Sequence, residues 1–225
     1  MSNPVYVAVD TADLRRAKKI VSAVAPHVGG VKLGLQFFAS NGPAGVRKIA
    51  EHGLPIFLDL KFHDIPNTVS RAVQSVGALA PAVITVHAAG GRAMLARARK
   101  VAPEGTKVVA VTVLTSLGEQ DMGRIGVQGG VAAQAARLAR LARASGLDGI
   151  VCSPLEVAAI AEAWPDGYFV VPGIRPAGSA RDDQKRSATP AAALAAGASM
   201  LVIGRPITAA EDMTAAAAAI AAQLK

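Results

Sequence analysis

A chain of 225 residues can form one α/β barrel, a fold that begins at about 200 residues, or two smaller domains. With 52% hydrophobic and 18% charged residues it has the composition of a soluble globular protein, and no stretch approaches the roughly 20 apolar residues a membrane-spanning helix requires. The net charge of +8, from 24 Lys and Arg against 16 Asp and Glu, points to an anionic partner: nucleic acid, a membrane surface or a small anionic metabolite.

In chain order, one unit repeats: a short apolar run, a polar or glycine-containing loop, then a helical pattern. The strand candidates are VYVAV (5–9), GVKLG (30–34), IFLDLKF (56–62), AVITVH (82–87), KVVAVTV (107–113), LDGIVCS (147–153), YFVVPG (168–173) and MLVIG (200–204). Most are continuous apolar runs, as expected of parallel strands covered on both faces. Helical patterns cover 12–25, 42–52, 66–80, 91–102, 128–145, 155–163, 189–196 and 207–224. Thr189-Pro190 reads as an N-cap followed by proline in the first turn, and Gly197 as a helix stop. Eight alternations without a Ser/Pro-rich linker predict a single (β/α)₈ TIM barrel over residues 1–225. An open doubly wound sheet is the alternative. It would usually carry G-x-G-x-x-G after its first strand, where this chain has VDTADL.

The basic residues, among them Arg15, Arg16, Lys18, Lys19, Arg137, Arg140 and Arg143, fall mostly at helical spacing and read as solvated outer faces. Without interleaved aromatics they do not resemble an RNA-stacking surface. An anionic metabolite is favoured, with no nucleic acid and no membrane partner. The N-terminus MSNPVYVAVD has neither the basic start nor the cleavage site of a signal peptide, and the single Cys152 cannot form an internal disulfide. The expected location is cytoplasmic.

Barrel active sites lie at the C-terminal ends of the strands. Asp10, Lys32, Asp59, Lys61, His87, Thr115, Ser116, Ser153, Arg175 and Arg205 are the polar residues there. Asp59 and Lys61, two apart on one strand, share a face and should both point into the barrel mouth. Asp64 stands ~10 Å further along an extended chain, so it need not serve the same pocket. A rim ion pair would account for a lone D-x-K, but Lys32 on the adjacent strand adds a second ammonium to the same low-dielectric mouth. A lysine held between carboxylates stays protonated, available as an acid and as a fixed positive charge. A second cluster, Arg175 after strand seven and Gly204-Arg205-Pro206 after strand eight, has the makings of a phosphate site. Asp183-Gln184-Lys185-Arg186 lies in the loop between them, where it reads either as a cover over the ligand or as an ordinary polar loop.

The motifs FLDLKFHDIPNTV (57–69), VAVD (7–10), VKLG (31–34), VTVLTS (111–116), VPGIRP (171–176), DDQKR (182–186) and VIGRPIT (202–208) resemble, in order and along the whole chain, the bacterial orotidine 5′-phosphate decarboxylases. The resemblance implies a cofactor-free, metal-free decarboxylation of orotidine 5′-phosphate to uridine 5′-phosphate and CO₂, the last step of de novo pyrimidine synthesis. By that resemblance Lys61 is the proton donor to C6, in an array with Lys32, Asp59 and an Asp64 supplied by the partner of a homodimer. It also implies that Asp10 and Lys32 contact ribose and that Ile65 and Thr68 cross the interface. Thr115 would meet the base, and Arg175, Gln184, Gly204 and Arg205 the phosphate.

The nearest rival on the same barrel is a Mg²⁺-dependent sugar-phosphate decarboxylase or aldolase, which also carries D-x-K-x-x-D. It needs an acidic metal ligand on a neighbouring strand, where this chain has Lys32 and His87. A non-catalytic phosphate-sensing or RNA-binding barrel would have no use for Lys61 among carboxylates. Cys152 reads as a small core residue and Trp164 as helix-end packing. His27 and His52 sit at helix ends, and His63 and His87 flank the site.

Overall fold

Runs of consecutive apolar residues become strands here because both of their faces are covered, one by helices and the other by the barrel interior. The computed structural model describes residues 3–176 and 187–224. Among them are β1 (Val5–Ala8), β2 (Gly30–Gly34), β3 (Ile56–Phe62), β4 (Val83–His87), β5 (Lys107–Val111), β6 (Gly149–Val151), β7 (Tyr168–Val171) and β8 (Met200–Ile203). Each strand pairs in parallel with the next, and β8 returns to β1, so the sheet closes into a (β/α)₈ barrel as expected.

The helices are α1 (Leu14–Val24), α2 (Leu35–Ala50), α3 (Pro66–Gly77), α4 (Gly91–Val101), α5 (Glu119–Arg124), α6 (Gly130–Ala144), α7 (Val157–Ala163), α8 (Pro190–Ala195), α9 (Arg205–Thr208) and α10 (Met213–Ala222). The Thr189 hydroxyl accepts the Ala192 N–H at 3.3 Å and caps α8, as its sequence predicts. Gly197 ends that segment with φ of 103°.

Several strands are shorter by a few residues than their apolar runs, and the helices depart from the sequence reading at three places. Helix α2 starts at Leu35, seven residues before the expected 42, and bends at Gly42, whose φ of 55° precedes Pro43. The Gly-Pro pair that looks like a helix start is thus a kink. The stretch 207–224 divides into α9 and α10, because the Asp212 carboxylate accepts the Ala215 N–H and begins a new helix. Short α5 has no periodic signal. Asp121 accepts from the Gly118 N–H at 2.9 Å, and Glu119 accepts from the Val131 N–H at the start of α6.

Strand alternation divides the apolar residues into two cores. Val7, Leu33, Leu58 and Ile84 face outward against helix residues such as Ile20, Phe37, Val73 and Leu95. Tyr6, Ala8, Phe57, Val83, Val109, Val170, Met200 and Val202 fill the barrel interior. The register sets Ala8 beside Lys32 and Lys32 beside Phe57. Two residues on from this interior layer, the inward positions become Asp10, Asp59 and Thr85. Charge therefore begins at Lys32, level with Ala8 and Phe57, and continues in the layer above.

Candidate active site

Lys32, on β2, is almost wholly buried, with its side chain 10% exposed. Its ammonium lies 3.1 Å from Asp10 Oδ1 and 3.3 Å from Asp59 Oδ2. The other oxygen of Asp59 accepts from Lys61 Nζ at 2.7 Å. Four charges thus alternate in sign across three strands, Asp10, Lys32, Asp59 and Lys61, and sum to zero. Burial alone would push the Lys32 pKa down, but Asp59 and Asp10 outweigh it and hold the pKa above its usual value. Burial likewise opposes charge on Asp59, yet Lys32 and Lys61 keep its carboxyl below the ordinary range. Both groups remain ionised where isolated charges would not. Gly34 belongs to this packing: a Cβ there would stand 3.0 Å from Lys32 Nζ and 3.1 Å from Asp10 Oδ1.

Lys61 has a left-handed backbone, φ 50°, a conformation that costs a non-glycine residue roughly 1–3 kcal/mol. It falls where the β3–β4 register shifts between Leu58 and Phe62. Its N–H donates to Thr85 Oγ1 at 2.9 Å, and the Thr85 hydroxyl donates to Asp59 Oδ1 at 3.2 Å. Thr85 is completely buried. It was not among the residues singled out from the sequence, although alternation from Val83 places it on the inward face.

Lys32, Asp59 and Lys61 line one cavity with Thr115 and Cys152. Asp10, Lys32, Arg175, Gly204 and Arg205 line a second, along with Arg16 and Thr208, which the sequence reading also missed. Lys32, Pro172 and Val202 belong to both walls, so the two cavities are neighbours. Arg175 is 9% exposed and its Nη1 donates to its neighbour's carbonyl, while its Nε has no hydrogen-bond partner among the described residues. A buried guanidinium N–H without an acceptor is rare and suits a site that receives an anion. Gly204 fits the same reading. Among the described residues a Cβ there would have only the Ala8 methyl within 4 Å, at 3.6 Å.

Asp64, Ile65 and Thr68 are exposed and belong to neither cavity wall. The Asp64 carboxylate accepts its neighbour's N–H, from Ile65, at 2.6 Å. Gln184 and the rest of 183–186 lie outside the described residues. Ser153 is buried in the turn that leads to α7, its N–H donating to Glu156 and its Oγ accepting from Leu155. Cys152 is 1% exposed, a core residue as expected that also lines the cavity of Lys32, Asp59 and Lys61. His63 and His87 stack at 5.1 Å. Trp164 packs edge-on against Phe169. No helix among the described residues is long and apolar enough to cross a membrane.

The closed barrel and its charged mouth define a (β/α)₈-barrel enzyme. The sequence profile of the orotidine 5′-phosphate decarboxylase / HUMPS family matches residues 3–220. An orotidine 5′-phosphate decarboxylase of Novosphingobium aromaticivorans is 59% identical over 224 residues, with all of both chains covered. One from Erythrobacter litoralis is 57% identical over the same span and coverage. The crystal structure of orotidine 5′-phosphate decarboxylase from Lactobacillus acidophilus superposes with a TM-score of 0.86 at 39% identity, again over all of both chains. The chain belongs to the orotidine 5′-phosphate decarboxylase family, and it is a carboxy-lyase.

Proposed function

We propose that the chain decarboxylates orotidine 5′-phosphate to uridine 5′-phosphate and CO₂ without metal or cofactor, closing de novo pyrimidine synthesis. The observation that carries this is the 2.7 Å contact of Lys61 Nζ with Asp59, in a cavity adjoining one lined by Arg175 and Arg205. In the reaction the C6–carboxylate bond breaks, CO₂ leaves, and the electron pair stays on C6. No carbonyl neighbours that carbon to delocalise the charge. Fixed positive charge from Lys61 stabilises it without reorganisation. Lys61 then gives C6 a proton and regains one from solvent.

Asp59 faces the departing carboxylate and orients Lys61. Asp10 and Lys32 hold the ribose hydroxyls, and Thr115 meets the base. Arg175, Gln184, Gly204 and Arg205 take the phosphate, whose remote binding energy favours a closed, dry site. A divalent cation in this mouth would have to displace Lys32, which engages both Asp10 and Asp59. That contact favours decarboxylation by ammonium groups over the Mg²⁺-dependent sugar-phosphate chemistry.

The active form in this reading is a homodimer in which Asp64, Ile65 and Thr68 complete the partner's pocket. Exposed large apolar side chains support it: Leu35, Ile65, Leu114, Ile125 and Leu155 all lie in or beside connections that follow strand C-termini. Exposed apolar side chains at that end of a barrel suit a subunit contact. A cytoplasmic location agrees with a chain whose single cysteine, Cys152, is buried in the core.

The test is purified protein with orotidylate and EDTA, following orotate absorbance and CO₂ release. Turnover in EDTA is expected. Inactivity that Mg²⁺ reverses would support the sugar-phosphate reading instead.

A further inference from the structure

Lys61 can act on C6 only if its ammonium is held at one place, and two features of its surroundings work against that. The backbone at Lys61 is left-handed, φ 50°, and the β3–β4 ladder is interrupted between Leu58 and Phe62. Ladder hydrogen bonds that would ordinarily fix a strand residue are shifted where this one stands. The side chain is also long, with several rotatable bonds.

One hydroxyl answers both problems. Thr85 Oγ1 accepts the Lys61 N–H at 2.9 Å, which holds the left-handed bend. Its own proton goes to Asp59 Oδ1 at 3.2 Å, the oxygen that also receives Lys61 Nζ at 2.7 Å. Asp59 Oδ2 faces Lys32. Main chain and side chain of Lys61 are thus joined through a three-membered relay of Thr85, Asp59 and the ammonium. Thr85 is 0% exposed, so its hydroxyl makes these bonds out of contact with solvent. Its χ1 is restricted by the β-branch, which directs the hydroxyl without further support.

We propose that Thr85 is a positioning residue for decarboxylation, which fixes the Lys61 ammonium through Asp59 and the Lys61 main chain. This rests on the reading of Lys61 as proton donor. Only a side chain with both a lone pair and a proton at this point can accept from Lys61 and donate to Asp59. Valine keeps the volume and loses both bonds. Serine keeps both bonds and loses a methyl group.

The experiment measures kcat and KM for orotidylate in wild type, Thr85→Val, Thr85→Ser and Thr106→Val. Thr106 is the control, a buried threonine at the opposite end of the barrel whose hydroxyl donates to the Pro81 carbonyl at 2.8 Å. We expect kcat of Thr85→Val to fall roughly 10- to 100-fold with KM within about twofold, as for a displaced catalytic group. Thr85→Ser should recover most of that rate, and Thr106→Val should lower thermal stability while kcat stays at the wild-type value. Amide exchange at Lys61 adds a readout that needs no turnover: protected in wild type and Thr85→Ser, fast in Thr85→Val. Should Thr85→Val fail to fold, Thr85→Ala makes the same comparison. Wild-type kcat in the valine or alanine variant would overturn the proposal, as would a serine variant as slow as the valine one. An inert wild type with the expected exchange pattern would instead sink the decarboxylase reading and leave the hydrogen-bond relay standing.

Discussion

Asp59 and Lys61 lie two residues apart on β3, and their side chains meet end to end, Oδ1 to Nζ, at 2.7 Å. Plain alternation puts both on one face of a strand but sets them side by side. The contact forms where Lys61 takes a left-handed backbone and the register with β4 shifts. Because Lys32 holds the other oxygen of Asp59, neither carboxylate oxygen is left without a cation. Removing Lys61 therefore takes away the ammonium proposed as proton donor without stranding Asp59 as an unpaired buried charge.

That asymmetry makes Lys61→Ala a clean test of chemistry against fold. Loss of a positioned acid costs about 10²–10⁴ in rate, and loss of fixed charge at the reacting carbon costs more. We expect decarboxylation to drop at least ~10⁴-fold while circular dichroism and the melting profile stay near wild type. Comparable kcat in a folded Lys61→Ala protein would remove Lys61 from the role of proton donor.

Arg205 lines the cavity with Arg175 and Asp10, and Lys61 lines the neighbouring one. Charge-assisted hydrogen bonds contribute roughly 1.5–3 kcal/mol each, about 10- to 100-fold in affinity. Arg205→Ala should weaken binding of uridine 5′-phosphate by that factor and leave uridine binding almost unchanged, as read by calorimetry. Equal losses for nucleotide and nucleoside would mean that Arg205 is structural or meets the base.

Much of this was legible in the residues themselves. The barrel followed from eight apolar runs bounded by glycine and polar loops, because strands covered on both faces leave that signature. Asp10, Lys32, Asp59 and Lys61 stood out as charges at the ends of apolar strands, and the structure brings all four together. Thr85 did not stand out, since a threonine in VITVH is an ordinary β-former; its importance comes from the register of β4 against β3. Arg16 was read as a solvated helix residue, and only the placing of α1 beside β1 turns it toward the anion cavity. The split at Asp212 was hidden by the alanine-rich composition of 213–222, which lets one helical pattern run through the loop before it.

His87 supplies a pH-dependent term in stability. Burial, first, and then the charges of His63 and Lys61 hold its pKa below the usual value of an imidazole. Protonation therefore favours the unfolded chain, where the ordinary pKa of about 6.5 applies. The stability from neutral His87 is fully present above that value and is lost as pH falls through the lower folded one. Melting temperatures measured from pH 7.5 down to 5.5 should decline in wild type and decline less in His87→Gln. Parallel slopes for the two proteins would show that His87 is not the group responsible.

The shared site can be tested by complementation. Asp64 is exposed in this chain, its carboxylate accepts the Ile65 N–H, and it is not among the residues that line the cavity with Lys61. If each pocket combines Lys61 of one subunit with Asp64 of the other, Lys61→Ala and Asp64→Ala homodimers should both be nearly inactive. After mixing and subunit exchange, every heterodimer has one pocket with both native residues and one with neither. Random exchange makes about half of the dimers mixed, so about a quarter of all sites should recover. Were both residues drawn from the same chain, every pocket would carry one substitution and mixing would restore nothing. An inactive mixture in which mass spectrometry finds the heterodimers would rule out the shared pocket. A recovery near one quarter would place Asp64 across the interface and account for its exposure in the single chain.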